Sequence, residues 1–265
     1  MSYNSSRDEL FLADHDNGVV CAMRVRDNAG DLRDVYRAPH DTSPRVWSVC
    51  HMSDSDTLLV CSREEGPDGK RTNWLVARSR NGSEWREAQR VKTDGQGWIS
   101  CALSDSRVLI GGHVYGTTYM ELFRVESGPR IARVHRIHVP EEYVVLRDVR
   151  QRHALRDVLP KTVPNGDNSV RVHRLRGDRL EELARIQLMK PTRLLWLADR
   201  LLVADYEKMN SHAVIELEVS DTRLERRREL IATSENIRVD RLCAVNDGVA
   251  ISDYNSKDIL HYSFA

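Results

Sequence analysis

Short apolar runs that end on a small or acidic residue recur along the chain. They are Leu10-Phe11-Leu12-Ala13-Asp14, Leu58-Leu59-Val60-Cys61-Ser62, Val108-Leu109-Ile110-Gly111-Gly112, Leu201-Leu202-Val203-Ala204-Asp205 and Val249-Ala250-Ile251-Ser252-Asp253. Their starts lie 48, 50, 93 and 48 residues apart, and 93 is close to two periods. A fixed period of this size marks an array of one supersecondary unit that buries its core only by stacking on its neighbours. The long gap predicts a weaker copy at His153-Ala154-Leu155-Arg156-Asp157, giving six in all.

Each copy sits inside a larger pattern. Upstream lies a second apolar run, at 46–50, 98–103, 194–198 and 242–245, followed by a polar turn. Downstream come alternating runs at 20–25, 74–78, 120–125, 170–175, 214–219 and 259–264, then more charged segments at 32–37, 84–91, 131–139, 180–188 and 224–231. Hairpin dipeptides punctuate them: Asn17-Gly18, Asp68-Gly69, Asn81-Gly82, Asn165-Gly166 and Asp247-Gly248. Each repeat therefore predicts four short antiparallel strands whose burial falls from the first pair outward. A β-sandwich is the competing architecture, but it does not require constant spacing, and residues 224–230 are the best place for a helix instead of a strand. Pro160 and Pro164 predict a loop over 160–166, because proline is poorly tolerated in central strands. On this reading the first repeat lacks its first strand and the last its fourth. Residues 1–8 are expected to be a flexible lead into a single domain spanning 1–265.

Composition narrows the class. Of 265 residues 40% are hydrophobic and 30% charged, with 40 basic side chains balancing 40 acidic ones. That is too apolar for disorder, and without a net field nucleic acid is not indicated as a partner. No run of 18 apolar residues and no apolar leader occurs, so a soluble protein of the cytoplasm, with the nucleus as the other compartment, is expected. The cysteines at 21, 50, 61, 101 and 243 are odd in number and lie among apolar neighbours, as reduced core residues do. Arginine outnumbers lysine more than five to one, a bias that suits carboxylate or phosphate recognition and that base composition alone can also produce.

In Leu201-Leu202-Val203-Ala204-Asp205-Tyr206 and Val249-Ala250-Ile251-Ser252-Asp253-Tyr254-Asn255 the apolar-Asp segments are similar to those of NHL blades. Over nearly its whole length the chain resembles a six-bladed β-propeller of the broad WD40-like and NHL-like kind, while lacking the Gly-His and Trp-Asp pairs of true WD40 repeats. The resemblance implies a rigid scaffold that binds a protein or peptide partner through one face.

In such a fold the ends of the second strands share a face. The candidate binding residues are Asp14, Arg63, His113, Asp157, Asp205 and Asp253, joined by Arg193, Arg238 and Arg241 near first-strand starts. The arginines suit an anion or an acidic peptide. No cofactor is expected on this reading. The alternative gives Asp14, Asp157, Asp205 and Asp253 to a calcium ion, as in the lactonase-like propellers the arrangement resembles, with a metal-dependent lactonase or esterase activity. Against it stands the turn-forming habit of aspartate, which bonds backbone amides of its own loop. A third reading makes the chain a structural part of a larger assembly. No H-E-x-x-H, G-x-S-x-G, Walker loop or G-x-G-x-x-G occurs.

Overall fold

The computed structural model describes residues 1–25, 32–39, 45–94, 99–102, 106–114, 117–126, 129–139, 145–146, 158–163, 168–176, 179–197, 200–208, 211–220, 223–232, 236–246 and 248–263. They form two compact units, Met1–Pro140 and Glu141–Ala265. In the first, β1 (Ser2–Asn4), β2 (Glu9–Asp14), β3 (Val19–Arg24) and β4 (Arg33–Arg37) make one sheet. A second holds β5 (Arg45–Met52), β6 (Thr57–Glu65), β7 (Arg71–Asn81) and β8 (Glu84–Thr93), and a third β9 (Ile99–Ala102), β10 (Arg107–Val114), β11 (Thr117–Glu126) and β12 (Arg130–Val139). In the second unit the fourth sheet holds β13 (Val145–Leu146), β14 (Val158–Val163), β15 (Ser169–Arg176) and β16 (Arg179–Gln187). The fifth holds β17 (Pro191–Leu197), β18 (Arg200–Lys208), β19 (Ser211–Val219) and β20 (Leu224–Ile231). The sixth holds β21 (Val239–Val245), β22 (Gly248–Asp253) and β23 (Ile259–Ser263). Strands lie side by side in chain order and every pair is antiparallel, the outcome that short hairpin connections dictate.

The continuous apolar runs are strands buried on both faces. In β6, Leu58 and Val60 pack toward the first sheet with Phe11 and Val20, while Leu59 and Cys61 pack toward the third with Ile110 and Phe123. β18 repeats this: Leu201 and Val203 join Val170 and Val172 of the fourth sheet, and Leu202 and Ala204 join Val249 and Ile251 of the sixth. Because side chains alternate across a strand, a two-sided position has no polar phase. Fully burying each such Leu or Val contributes about 1.5–3 kcal/mol. The fourth strands have neighbours on fewer sides, and in β20 only the end residues Leu224 and Ile231 are fully buried.

Three expectations need correction. The first sheet is complete: β1 lies within residues 1–8, where a flexible lead was expected. It escaped notice because polar contacts hold it. Ser2 Oγ accepts the His51 N–H at 2.9 Å, and the buried Asn4 accepts from Ser6 N and Oγ at 3.1 and 2.8 Å. The second strand that the fourth sheet shows among the described residues is β14, starting at Val158; the expected run ending at Asp157 lies outside them. Pro160 falls inside β14 opposite Val172. Among the described residues β13 pairs with Lys161 and Thr162. Residues 224–231 form the strand expected of them, not the alternative helix. The described residues thus hold five four-stranded sheets and one of three strands.

One irregularity recurs. In β5, β17 and β21 a single extra residue interrupts pairing with the next strand, between Val46 and Ser48, between Pro191 and Arg193, and between Val239 and Arg241. These are β-bulges, which bend a strand and re-aim its side chains.

Candidate functional site

The bulges in the second unit position the densest group of candidate residues. Asp205 closes the core of β18, and its carboxylate accepts the backbone N–H groups of Met189 at 3.0 Å and Lys190 at 2.6 Å. Forty-eight residues on, Asp253 repeats the arrangement, accepting from Arg238 N at 2.9 Å, Asn255 N at 3.0 Å and Ser256 N at 3.2 Å. Burial alone would raise the Asp253 pKa, but these hydrogen bonds outweigh it and hold the carboxyl below its usual value. Both aspartates tie the end of a second strand to the start of the first strand in the same sheet. In each case the next residue, Tyr206 or Tyr254, bonds back through its N–H, to Lys190 O at 3.1 Å and Arg238 O at 2.8 Å.

Those tyrosines carry cations. Lys190 Nζ lies 5.4 Å from the Tyr206 ring centre, while the Arg238 guanidinium and Lys257 Nζ lie 4.3 and 3.7 Å from that of Tyr254. His212, in β19, links the two sheets. Its ring meets that of Tyr206 at 5.1 Å and its Nδ1 accepts the Val239 N–H at 3.0 Å. Nδ1 must therefore hold a lone pair. Burial, with the nearby charges of Arg193 and Arg238, lowers the His212 pKa to about 4, so the ring is neutral.

Arg193 and Arg241 complete the group. Asp240 Oδ1 accepts from Arg193 Nη2 at 3.3 Å and from Arg241 Nη1 at 3.1 Å, and Arg193 Nε also donates to the Asp240 carbonyl. Burial, then the adjacent Arg241, pushes the Arg193 guanidinium down to about 10. Lys190 and Arg238 form no ion pair among the described residues. With Asp205 and Asp253 occupied by backbone amides, Asp240 is bonded by Arg193 and Arg241, while Lys190 and Arg238 lie over tyrosine rings. Exposed beside them are Met189, at 64%, and Tyr254, at 51%. The result is a basic, partly aromatic surface suited to carboxylates.

The remaining candidates lie elsewhere. Asp14 ends β2 and spends both oxygens on Asn17, at 3.1 Å to its N–H and 2.7 Å to its side-chain amide. Arg63 is buried in β6 over the Trp47 ring at 5.3 Å, and that ring lies 4.3 Å from the ring of His15. His113 falls in β10 opposite Thr118. Asp157 lies outside the described residues. Of the nine candidates, the structure draws Arg193, Arg238, Arg241, Asp205 and Asp253 together within one unit. Sequence reasoning passed over Lys190, Tyr206, His212, Asp240 and Tyr254. The 48-residue echo of Lys190 in Arg238 and of Tyr206 in Tyr254 was the available signal. Among the described residues no group of three or more His, Cys, Asp or Glu is placed to hold a metal ion.

No protein-family model and no curated protein matches the chain. Solved structures do. A chain of the mitotic checkpoint complex matches over 99% of this chain and 86% of its own length, with a TM-score of 0.69 at 9% identity. The β-propeller domain of Cps50 (Swd1) from Myceliophteria thermophila covers 99% and 96%, at 0.57 and 12% identity. A protein described as a candidate 6-phosphogluconolactonase from Bacteroides uniformis covers 96% and 82%, at 0.61 and 15% identity. Identities this low carry the fold and nothing more. Taken with the small antiparallel sheets, they show that the chain has a β-propeller fold, with WD40 propellers among the structures it is similar to.

Proposed function

We propose that this protein is an interaction module that holds an acidic segment of a protein partner on the basic surface of its second unit. The observation that carries this reading is that Arg193 and Arg241 share the one carboxylate of Asp240, while Lys190 and Arg238 of the same unit form no ion pair among the described residues and lie over Tyr206 and Tyr254. Tyr, Arg and Met are the residue types enriched at protein interfaces, and arginine offers carboxylates two parallel donors. The similar chain from the mitotic checkpoint complex belongs to a protein assembly, which supports the class of function without identifying a partner.

Binding of a polyglutamate peptide, followed by fluorescence anisotropy, tests the proposal. The double charge reversal Arg238→Glu and Arg241→Glu should weaken binding at least tenfold, about 1.4 kcal/mol. The same changes on the charged outer strand, Arg226→Glu and Arg227→Glu, should leave it within about twofold, since exposed charges there contribute little. Equal loss from both pairs would reduce the site to nonspecific charge attraction.

The likeness to the Bacteroides uniformis protein motivates a second reading, a calcium-dependent hydrolase using Asp14, Asp157, Asp205 and Asp253. Bonds from the amides of Met189, Lys190, Arg238, Asn255 and Ser256 compete with that use of Asp205 and Asp253. A calcium-dependent rise in melting temperature that disappears in Asp205→Asn and Asp253→Asn would favour the hydrolase.

A further inference from the structure

A cleft of about 350 Å³ opens in the first unit between β4 and the hairpin that joins β7 to β8. Its walls include Arg33, Asp34, Tyr36, Arg78, Glu84 and Trp85. Most of the charge is already matched. Arg33 donates to the buried carboxylate of Glu9, Arg37 donates to Asp34, and Arg86 bonds Glu84 at 3.0 Å.

Arg78 is the exception. Its Nη2 donates to the Trp85 carbonyl and its guanidinium lies 5.4 Å from the Tyr36 ring centre, but it forms no ion pair among the described residues. Glu87, whose charge acts on Arg78, has both oxygens bonded by Arg90, at 2.7 and 2.8 Å. The Nε of Arg78 is buried and meets no acceptor. Neither does Nε1 of Trp85, a residue 6% exposed. The indole ring is otherwise well packed, with the Arg80 guanidinium 4.5 Å from its centre and the edge of Phe11 at 5.7 Å. The hydroxyl of Tyr36 is engaged, donating to Ser62 Oγ at 3.3 Å.

A half-buried cation without a counter-ion is costly, and native structures seldom keep such a group without a use. Arg78 lines a cleft whose size is that of a small-molecule site and whose walls include two aromatic rings, Tyr36 and Trp85. We infer that this cleft binds a small organic anion. Its carboxylate or phosphate accepts from the Arg78 guanidinium, and its carbon skeleton lies against Tyr36 and Trp85. The site is independent of the basic surface in the second unit, so either can fail alone.

Indole N–H resonances of the 15N-labelled full chain read the site directly, with Trp85 assigned from Trp85→Phe. Inorganic phosphate and succinate are titrated separately, against sodium chloride of equal ionic strength. The expected result is a saturable shift of the Trp85 resonance, with the other indoles unmoved. Arg78→Met should weaken the response about tenfold or more, as loss of a charge-assisted donor does. Arg78→Lys, which keeps the charge but not the Nε donor, should fall between the two and replaces the Met variant if that one fails to fold. A response to phosphate alone identifies a phosphate ligand, one to succinate alone a carboxylate, and one to both the shared oxyanion chemistry. No saturable shift with either anion, or undiminished affinity in the Arg78 variants, overturns the inference.

Discussion

At His212 a single proton governs a contact between two sheets. Its Nδ1 accepts the Val239 N–H, so protonation would replace an acceptor with a donor and place a cation near Arg193 and Arg238. The unfolded chain takes up that proton near pH 6.5, the folded one only near 4. Between these values the unfolded state binds more protons, so stability is full above about 6.5 and is lost as pH falls toward 4. Urea denaturation at stepped pH should show this slope, and His212→Phe should flatten it while costing about 1–3 kcal/mol at neutral pH for the orphaned amide. Asp253 acts in the same direction at lower pH. Its folded pKa is depressed, so its contribution persists above 3.8 and disappears below. Gly248 poses a purely steric case, since an added Cβ would stand 1.9 Å from the Tyr262 carbonyl oxygen. Gly248→Ala should therefore lower the urea midpoint by the equivalent of at least about 1–3 kcal/mol, the usual cost of overpacking.

Among the strands, the two-sided members dominate. Leu59 in β6 and Leu202 in β18 occupy matching places, each fully buried between sheets. Truncation of either to Ala should cost about 2–5 kcal/mol, measured by chemical denaturation, whereas changes at Arg227 in exposed β20 should stay within about 0.5 kcal/mol. This contrast explains what could be read from the sequence. Strands that gain their place by apolar burial announced themselves through hydropathy and through the 48-residue echo, and the alternating third strands fell almost where expected. β1 did not, because Ser2, Tyr3 and Asn4 are held by hydrogen bonds that only folding brings together. Pro160 was read as a loop residue, whereas it pairs with Val172 inside β14. The site was legible to the same extent. Arg193, Arg238 and Arg241 could be picked out by position in the repeat, but the linking role of His212 depends on a partner 27 residues away on another sheet.

Over the whole chain, 40 basic and 40 acidic side chains cancel, yet in the second unit Arg193 and Arg241 share the carboxylate of Asp240 and Lys190 and Arg238 lie over tyrosine rings. Association with an acidic peptide should consequently weaken as salt rises from about 0.05 to 0.5 M, because exposed charges are screened over a few ångströms at the higher value. The melting temperature should change far less over the same range, since the paired apolar faces do not depend on screening. A final consequence concerns the bulges in β5, β17 and β21. One surplus residue at a fixed place gives each of these strands two reading frames. From Leu194 or Leu242 onward the frame is set by the packed interior, and before the bulge it is set afresh. Trp47, Thr192 and Asp240 stand at the junction. Three unlike side chains at one equivalent position show that the end of a strand can change its chemistry without disturbing the alternation behind it, so copies of one repeat are free to diverge in what they bind while remaining alike in how they pack.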